Sequence, residues 1–165
     1  MIIIFWIVVS YLVIVWIGLR LIVPNLGFKK QALPETIPAE LTGVIQKLNT
    51  ESKDDLEYLT KAYTFITSKY RGGRIKTITN FWVAFQDPII RPAGFLPCTS
   101  QNYLLRLILV KSGRFKDSDI EIRVIPLNLF IHQYLRVRVG EKTIAVDPWS
   151  AFWGVPLGKK SAFVG

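Results

Sequence analysis

His132-Gln133-Tyr134-Leu135-Arg136-Val137-Arg138-Val139-Gly140-Glu141-Lys142-Thr143-Ile144-Ala145-Val146-Asp147 alternates apolar and polar side chains around a Gly-Glu pair. Successive strand residues point to opposite faces, so Leu135, Val137 and Val139 share one face and His132, Tyr134, Arg136 and Arg138 the other. Gly140-Glu141 suits a two-residue hairpin turn of type II′, which takes glycine first. That turn opposes Val139 to Lys142, Val137 to Ile144 and Leu135 to Val146. Apolar residues then meet one another, and a slip by one residue would separate them. The same register carries Tyr134 to Asp147 and His132 to Trp149. His132 and Asp147 become diagonal neighbours on one face, with backbones roughly 7 Å apart and side chains able to meet.

Upstream, Ile120, Ile122 and Val124 alternate with charged residues and add a further strand. Earlier still the period lengthens. Leu56, Leu59, Tyr63, Ile66 and Tyr70 recur at three- and four-residue spacing, which predicts an amphipathic helix of about 18 residues. Ser52 with Asp55 offers a capping start, and Gly72-Gly73 supplies the stop. Pro97 and Gly113 frame a second helix that begins at or near Cys98, with Lys111 in its last turn. Residues 74–97 are mixed, with Phe81, Trp82 and Phe85 ahead of a Pro-rich approach. Helices first and strands later argue for an α+β domain whose helices pack on an antiparallel sheet.

The 165-residue chain opens on a stretch, Met1 to Leu19, without a charged residue, and its apolar character continues to Val23. At about 1.5 Å per residue this gives roughly 34 Å, enough to cross a bilayer core. A cleaved signal peptide would show a basic start and a small-x-small cleavage site, and neither is present. Residues 1–23 are therefore expected to be a retained transmembrane anchor. Arg20, Lys29 and Lys30 follow the span and no basic residue precedes it, which leans toward a single-pass protein with a cytoplasmic domain. Residues 24–51, with Pro24, Pro34 and Pro38, read as a linker carrying one short helix near Leu41 to Leu48. Residues 52–165 make one domain, large enough for a core without staples.

Basic residues outnumber acidic ones 21 to 12, a formal charge of +9. Such a field favours anionic membrane surfaces, and no nucleic-acid-binding module accompanies it. With one cysteine, no internal disulfide can form. No metal cluster, Walker loop or dinucleotide fingerprint is present, so neither a metal nor a cofactor is expected.

Cys98 sits where unpaired backbone N–H groups and the helix dipole stabilise an anion, so a thiolate becomes accessible and an oxyanion can be received. His132 is the chain's only histidine. Set against these, most lone cysteines are small buried hydrophobes and most lone histidines serve structure.

These residues resemble the transglutaminase-like superfamily, relatives of the papain-fold cysteine peptidases, over roughly Leu56 to Trp149. In that family the nucleophile enters a helix that ends at a glycine about fifteen residues on, as Cys98 and Gly113 do. Its histidine begins a strand as His-Ala-Trp-x-Glu, matched here by His132-Gln-Tyr-Leu-Arg, and its aspartate ends the next, matched by Val146-Asp147-Pro148-Trp149. Pro97 before the cysteine and Gln133-Tyr134 in place of Ala-Trp depart from the pattern. The resemblance implies acyl transfer from a protein or peptide amide through a thioester. Cys98 would attack, His132 would act as base and then acid, and Asp147 would orient His132. Water as acceptor gives a peptidase or amidase, and an amine gives a cross-linker. Gln86 and Trp82 are the candidate side chains to join the Cys98 N–H at the oxyanion. Two other readings remain: a catalytically silent binding or scaffold domain on the same fold, and a basic membrane-surface adaptor.

Overall fold

A computed structural model describes residues 2–127 and 130–161; Met1 and the last four residues of the expected 52–165 domain lie outside the described residues. The hairpin forms in the expected register, with Leu135 opposite Val146, Val137 opposite Ile144 and Val139 opposite Lys142. Gly140 has φ 59° and Glu141 does not share its positive sign, the combination a type II′ turn requires. Strand β3 (Ile120–Leu127) pairs antiparallel with β4 (Phe130–Val139), which pairs with β5 (Lys142–Val146). A separate parallel pair joins β1 (Tyr70–Arg71) to β2 (Gly94–Phe95). The architecture is mixed α+β, a long apolar N-terminal helix followed by helices on a small three-stranded antiparallel sheet.

The cysteine helix, Cys98–Lys111, is the centre of the core. Every residue from Thr99 to Leu109 is buried. It packs against both the helix Asp55–Lys69 and strand β4, so Leu105 and Ile108 meet Leu59, Ile66 and Leu135 in one apolar cluster. Each such side chain contributes about 1.5–3 kcal/mol by leaving water. The helix stops at Gly113, whose φ of 78° puts it in the left-handed region that glycine tolerates.

Helix Asp55–Lys69 starts two residues later than a Ser52 cap predicts, with Asp54 as its N-cap. Asp54 accepts from Glu57 N at 2.8 Å while Glu57 Oε2 accepts from Lys53 N at 2.8 Å, a reciprocal cap. Ser52 instead donates to Leu48 O and closes the preceding helix. The buried face is Tyr58, Leu59, Ala62, Tyr63 and Ile66, whereas Leu56 is exposed. Tyr70, expected to end this helix, lies in β1.

Residues 24–51 are docked rather than free. Helix Ala39–Glu51 is longer than the expected Leu41 to Leu48, and its Ile45 and Leu48 join the core. Ahead of it, backbone carbonyls serve buried donors: Asn25 O accepts from Gln133 Nε2 at 2.6 Å and Gln31 O from Arg106 Nη1 at 2.8 Å. Hydropathy does not register such acceptors, since any residue type offers a carbonyl. Arg106 also donates to Asp117 at 2.6 Å and holds its carboxyl below the ordinary value.

The N-terminal helix, Ile2–Ile22, is long and apolar enough to cross a membrane, as an anchor or a signal sequence would be. Ile2, Ile3, Ile4, Trp6 and Ile7 are all exposed. Val15, within a turn of π-helix at Ile14–Gly18, is buried, and that turn touches β4. Val23 leaves helical geometry just before Pro24.

Candidate active site

Asp147 follows the last pair of the β4–β5 ladder, so strand parity sets it on the His132 side. His132 Nε2 lies 2.8 Å from Asp147 Oδ2, and the two residues are 2% and 1% exposed. Asp147 is further held by what comes after it. Ser150 Oγ donates to Oδ2 at 2.9 Å, Ser161 N to Oδ2 at 3.0 Å and Ser150 N to Oδ1 at 3.3 Å. Four donors around one carboxylate fix its orientation.

The opposite parity of His132 from Leu135 would leave it in water on a two-layer sheet, yet it is buried. The 3₁₀ turn Trp149–Trp153 accounts for this, placing the Trp149 ring 5.1 Å from the imidazole. Gly72 makes that turn possible: a Cβ there would stand 2.3 Å from Trp149 O and 2.8 Å from its ring. The Gly72 that terminates a helix in the sequence reading thus serves a close backbone approach instead.

Cys98 is the first residue of its helix and is partly exposed. Ser100 N and Gln101 N both donate to Pro97 O. Among the described residues no acceptor meets the N–H of Cys98 or Thr99, the orphan donors that every helix start presents. Burial acts to lower the pKa of His132, but its hydrogen bond to Asp147 and hydrogen bonding with Cys98, with the charge attraction of both, outweigh it and raise the value to about 10. The balance favours the protonated ring. Nε2 is committed to Asp147, which leaves Nδ1 for the sulfur. Tyr63, whose hydroxyl donates to Val155 O at 3.2 Å, is pushed up to about 12 by burial first and then by the charge of Asp147.

Cys98, Thr99, His132 and Trp149 line a cavity of about 440 Å³, within the roughly 300–1,000 Å³ range of ligand sites. Thr99 Oγ1 and Trp149 Nε1 are buried without a partner among the described residues. The two side chains proposed for the oxyanion lie elsewhere. Gln86 accepts from Arg91, Trp82 is 50% exposed, and neither lines the cavity. Thr99 and Trp149 were accessible only through structure, because nothing local in the sequence marks a hydroxyl or an indole as unpartnered. No cluster of three or more His, Cys, Asp or Glu that could hold a metal occurs among the described residues.

Comparison with known proteins returned no match: no family model, no curated protein and no solved structure is similar to this chain.

Proposed function

We propose that the chain is a membrane-anchored cysteine enzyme of the transglutaminase-like, papain-fold kind, with Cys98, His132 and Asp147 acting as one unit. The observation that carries this reading is an imidazole buried between a four-times hydrogen-bonded carboxylate and the chain's one thiol, beside a cavity. Cys98 acts on His132 both by hydrogen bonding and by charge attraction. In this scheme the sulfur forms a bond to an amide carbonyl carbon and the oxygen becomes an oxyanion. The Cys98 N–H receives that oxyanion, with Thr99 Oγ1 or Trp149 Nε1 able to add a second donor. The imidazolium gives its proton to the departing amine as the C–N bond breaks. Water or a second amine then attacks the thioester and returns a proton to the ring.

The exposed isoleucines of the N-terminal helix support an anchor in the bilayer, and Arg20, Lys29 and Lys30 support a domain on the cytoplasmic side near anionic headgroups. The contact of Cys98 with the Leu127–Trp149 cluster supports the competing reading, a silent domain in which the thiol is packing. An activity-based cysteine probe on the full chain separates them. The enzyme reading expects labelling at Cys98 that is abolished by Cys98→Ala and strongly reduced by His132→Ala, with both variants folded by circular dichroism. Equal labelling of wild type and His132→Ala would favour the silent domain.

A further inference from the structure

The cavity beside Cys98 has an unusual lining. Its polar residues are Arg74, Thr77, Asn80, Cys98, Thr99 and His132; all others are aliphatic, aromatic or proline. Leu19, Ile22, Val23 and Leu26 come from the end of the N-terminal helix and the turn after it. Ile78, Phe81 and Phe85 belong to the segment of short helices at Arg74–Thr79 and Phe81–Phe85. That segment also carries exposed apolar side chains: Ile75, outside the cavity lining, is 76% exposed, and Phe81 and Ile78 within it are 63% and 54% exposed. Clustered exposure of this kind marks a membrane or ligand surface rather than an ordinary aqueous one.

Depth follows from the helix. The apolar helix Ile2–Ile22 has 21 residues, roughly 32 Å at about 1.5 Å per residue and comparable to the roughly 30 Å of a bilayer's hydrocarbon core. Its last turn supplies Leu19 and Ile22 to the cavity lining, so a bilayer crossed by this helix has its boundary beside the cavity. This brings the cavity's apolar rim to the edge of the hydrocarbon.

Resting on the enzyme and anchor proposed above, we infer that the cavity takes the alkyl chain of a bilayer-resident amide, and that the substrate is a lipid-linked amide rather than a soluble peptide. The chain enters from the membrane beside Leu19 and Ile22, lies against Phe81 and Phe85, and presents its carbonyl to Cys98. The sulfur bonds the carbonyl carbon, the amine leaves with the imidazolium proton, and water regenerates the thiol and the free acid. An apolar slot next to the nucleophile selects for chain length because every additional buried methylene contributes about 0.8 kcal/mol.

The test uses the full chain in phosphatidylcholine liposomes with acetyl, octanoyl and palmitoyl 4-nitroanilides, reading nitroaniline release and acylation of Cys98 by intact mass. In parallel, a hexadecanamide carrying a diazirine near the chain end is photocrosslinked, its sites are mapped, and unlabelled hexadecanamide is the competitor. Palmitoyl should react at least roughly tenfold faster than acetyl, and Phe81→Ser with Phe85→Ser should shrink that ratio by roughly the same factor. Competed crosslinks should fall on Phe81, Phe85 or Ile131. A ratio that the double variant leaves unchanged overturns the lipid-amide substrate while the enzyme stands. Competed crosslinks in the cavity without release of nitroaniline from any probe retain the lipid-amide site and overturn the catalysis. Crosslinks confined to Ile2–Val13 overturn the site.

Discussion

The cavity has two kinds of wall, and they obey different rules. The Cys98–His132 wall is polar and is backed by Asp147 behind the imidazole: His132 is 2% exposed, Asp147 1%, and each oxygen of Asp147 has a donor. The Phe81–Phe85 wall is apolar and open, with Phe81 63% and Phe85 48% exposed. A globular protein in water places these classes the other way round. Burying a charged pair costs several kcal/mol per ion unless partners are supplied, and exposing aromatic rings forfeits their transfer from water. The polar wall meets its cost with partners contributed from beyond β5. The apolar wall is the kind of surface that the proposed bilayer-facing, alkyl-chain-binding role requires.

The sharpest way to break this comparison is Asp147→Ala. It leaves the buried imidazolium and the Ser150 and Ser161 donors unpartnered, and should destabilise by about 3–5 kcal/mol in urea melts. Asp147→Asn, which keeps an acceptor for Ser161 N–H, should cost less. A loss below about 1 kcal/mol for the alanine variant would mean that the carboxylate is not the support it looks to be. Next in size is Gly72→Ala. Its Cβ would stand 2.3 Å from Trp149 O, so the Trp149 turn must shift, at about 1–3 kcal/mol. At the other extreme, Phe81→Ser in detergent should leave the urea midpoint within about 0.5 kcal/mol of wild type. A penalty like that of a core truncation, about 2–5 kcal/mol, would show the ring to be packed and the apolar wall to belong to the core.

The two walls also differ in how far they could be read from sequence. The hairpin register was legible because two apolar pairs, Leu135 with Val146 and Val137 with Ile144, and Gly140 agree on one alignment, and that alignment carries Asp147 to the His132 side. Cys98 at its helix start was legible from Pro97 and Gly113. Ser150 and the Ser161 N–H were not, since their role depends on how the chain turns after Pro148. Neither was the approach of Gly72 to Trp149, residues far apart in sequence. Residues 74–97 resisted reading because hydrophobic periodicity assumes that apolar residues face a core in water; Phe81, Trp82 and Phe85 do not. Trp82 and Gln86, the candidates for the oxyanion, do not line the cavity; position upstream of Cys98 does not say which side chains the chain folds toward it. The segment 24–38 looked like a tether because its contribution is backbone carbonyls rather than side chains.

Proton linkage ties the polar wall to stability. His132 has a folded pKa of about 10 against an ordinary 6.5. Its protonation therefore contributes stability that is fully present below pH 6.5 and is lost as pH rises through about 10. His132 is also the chain's only histidine, so its titration can be followed without assignment ambiguity. The direct test is the imidazole ¹⁵N chemical shift of the full chain in detergent micelles, across pH, in wild type and in Cys98→Ala. Cys98 is one of the two side chains that raise the value. The account predicts an imidazolium that persists well above neutral pH in wild type, toward about 10, and a titration clearly lower once the thiol is removed. A wild-type histidine that titrates near 6.5, or one whose midpoint is the same with and without Cys98, would contradict the coupling of Cys98, His132 and Asp147.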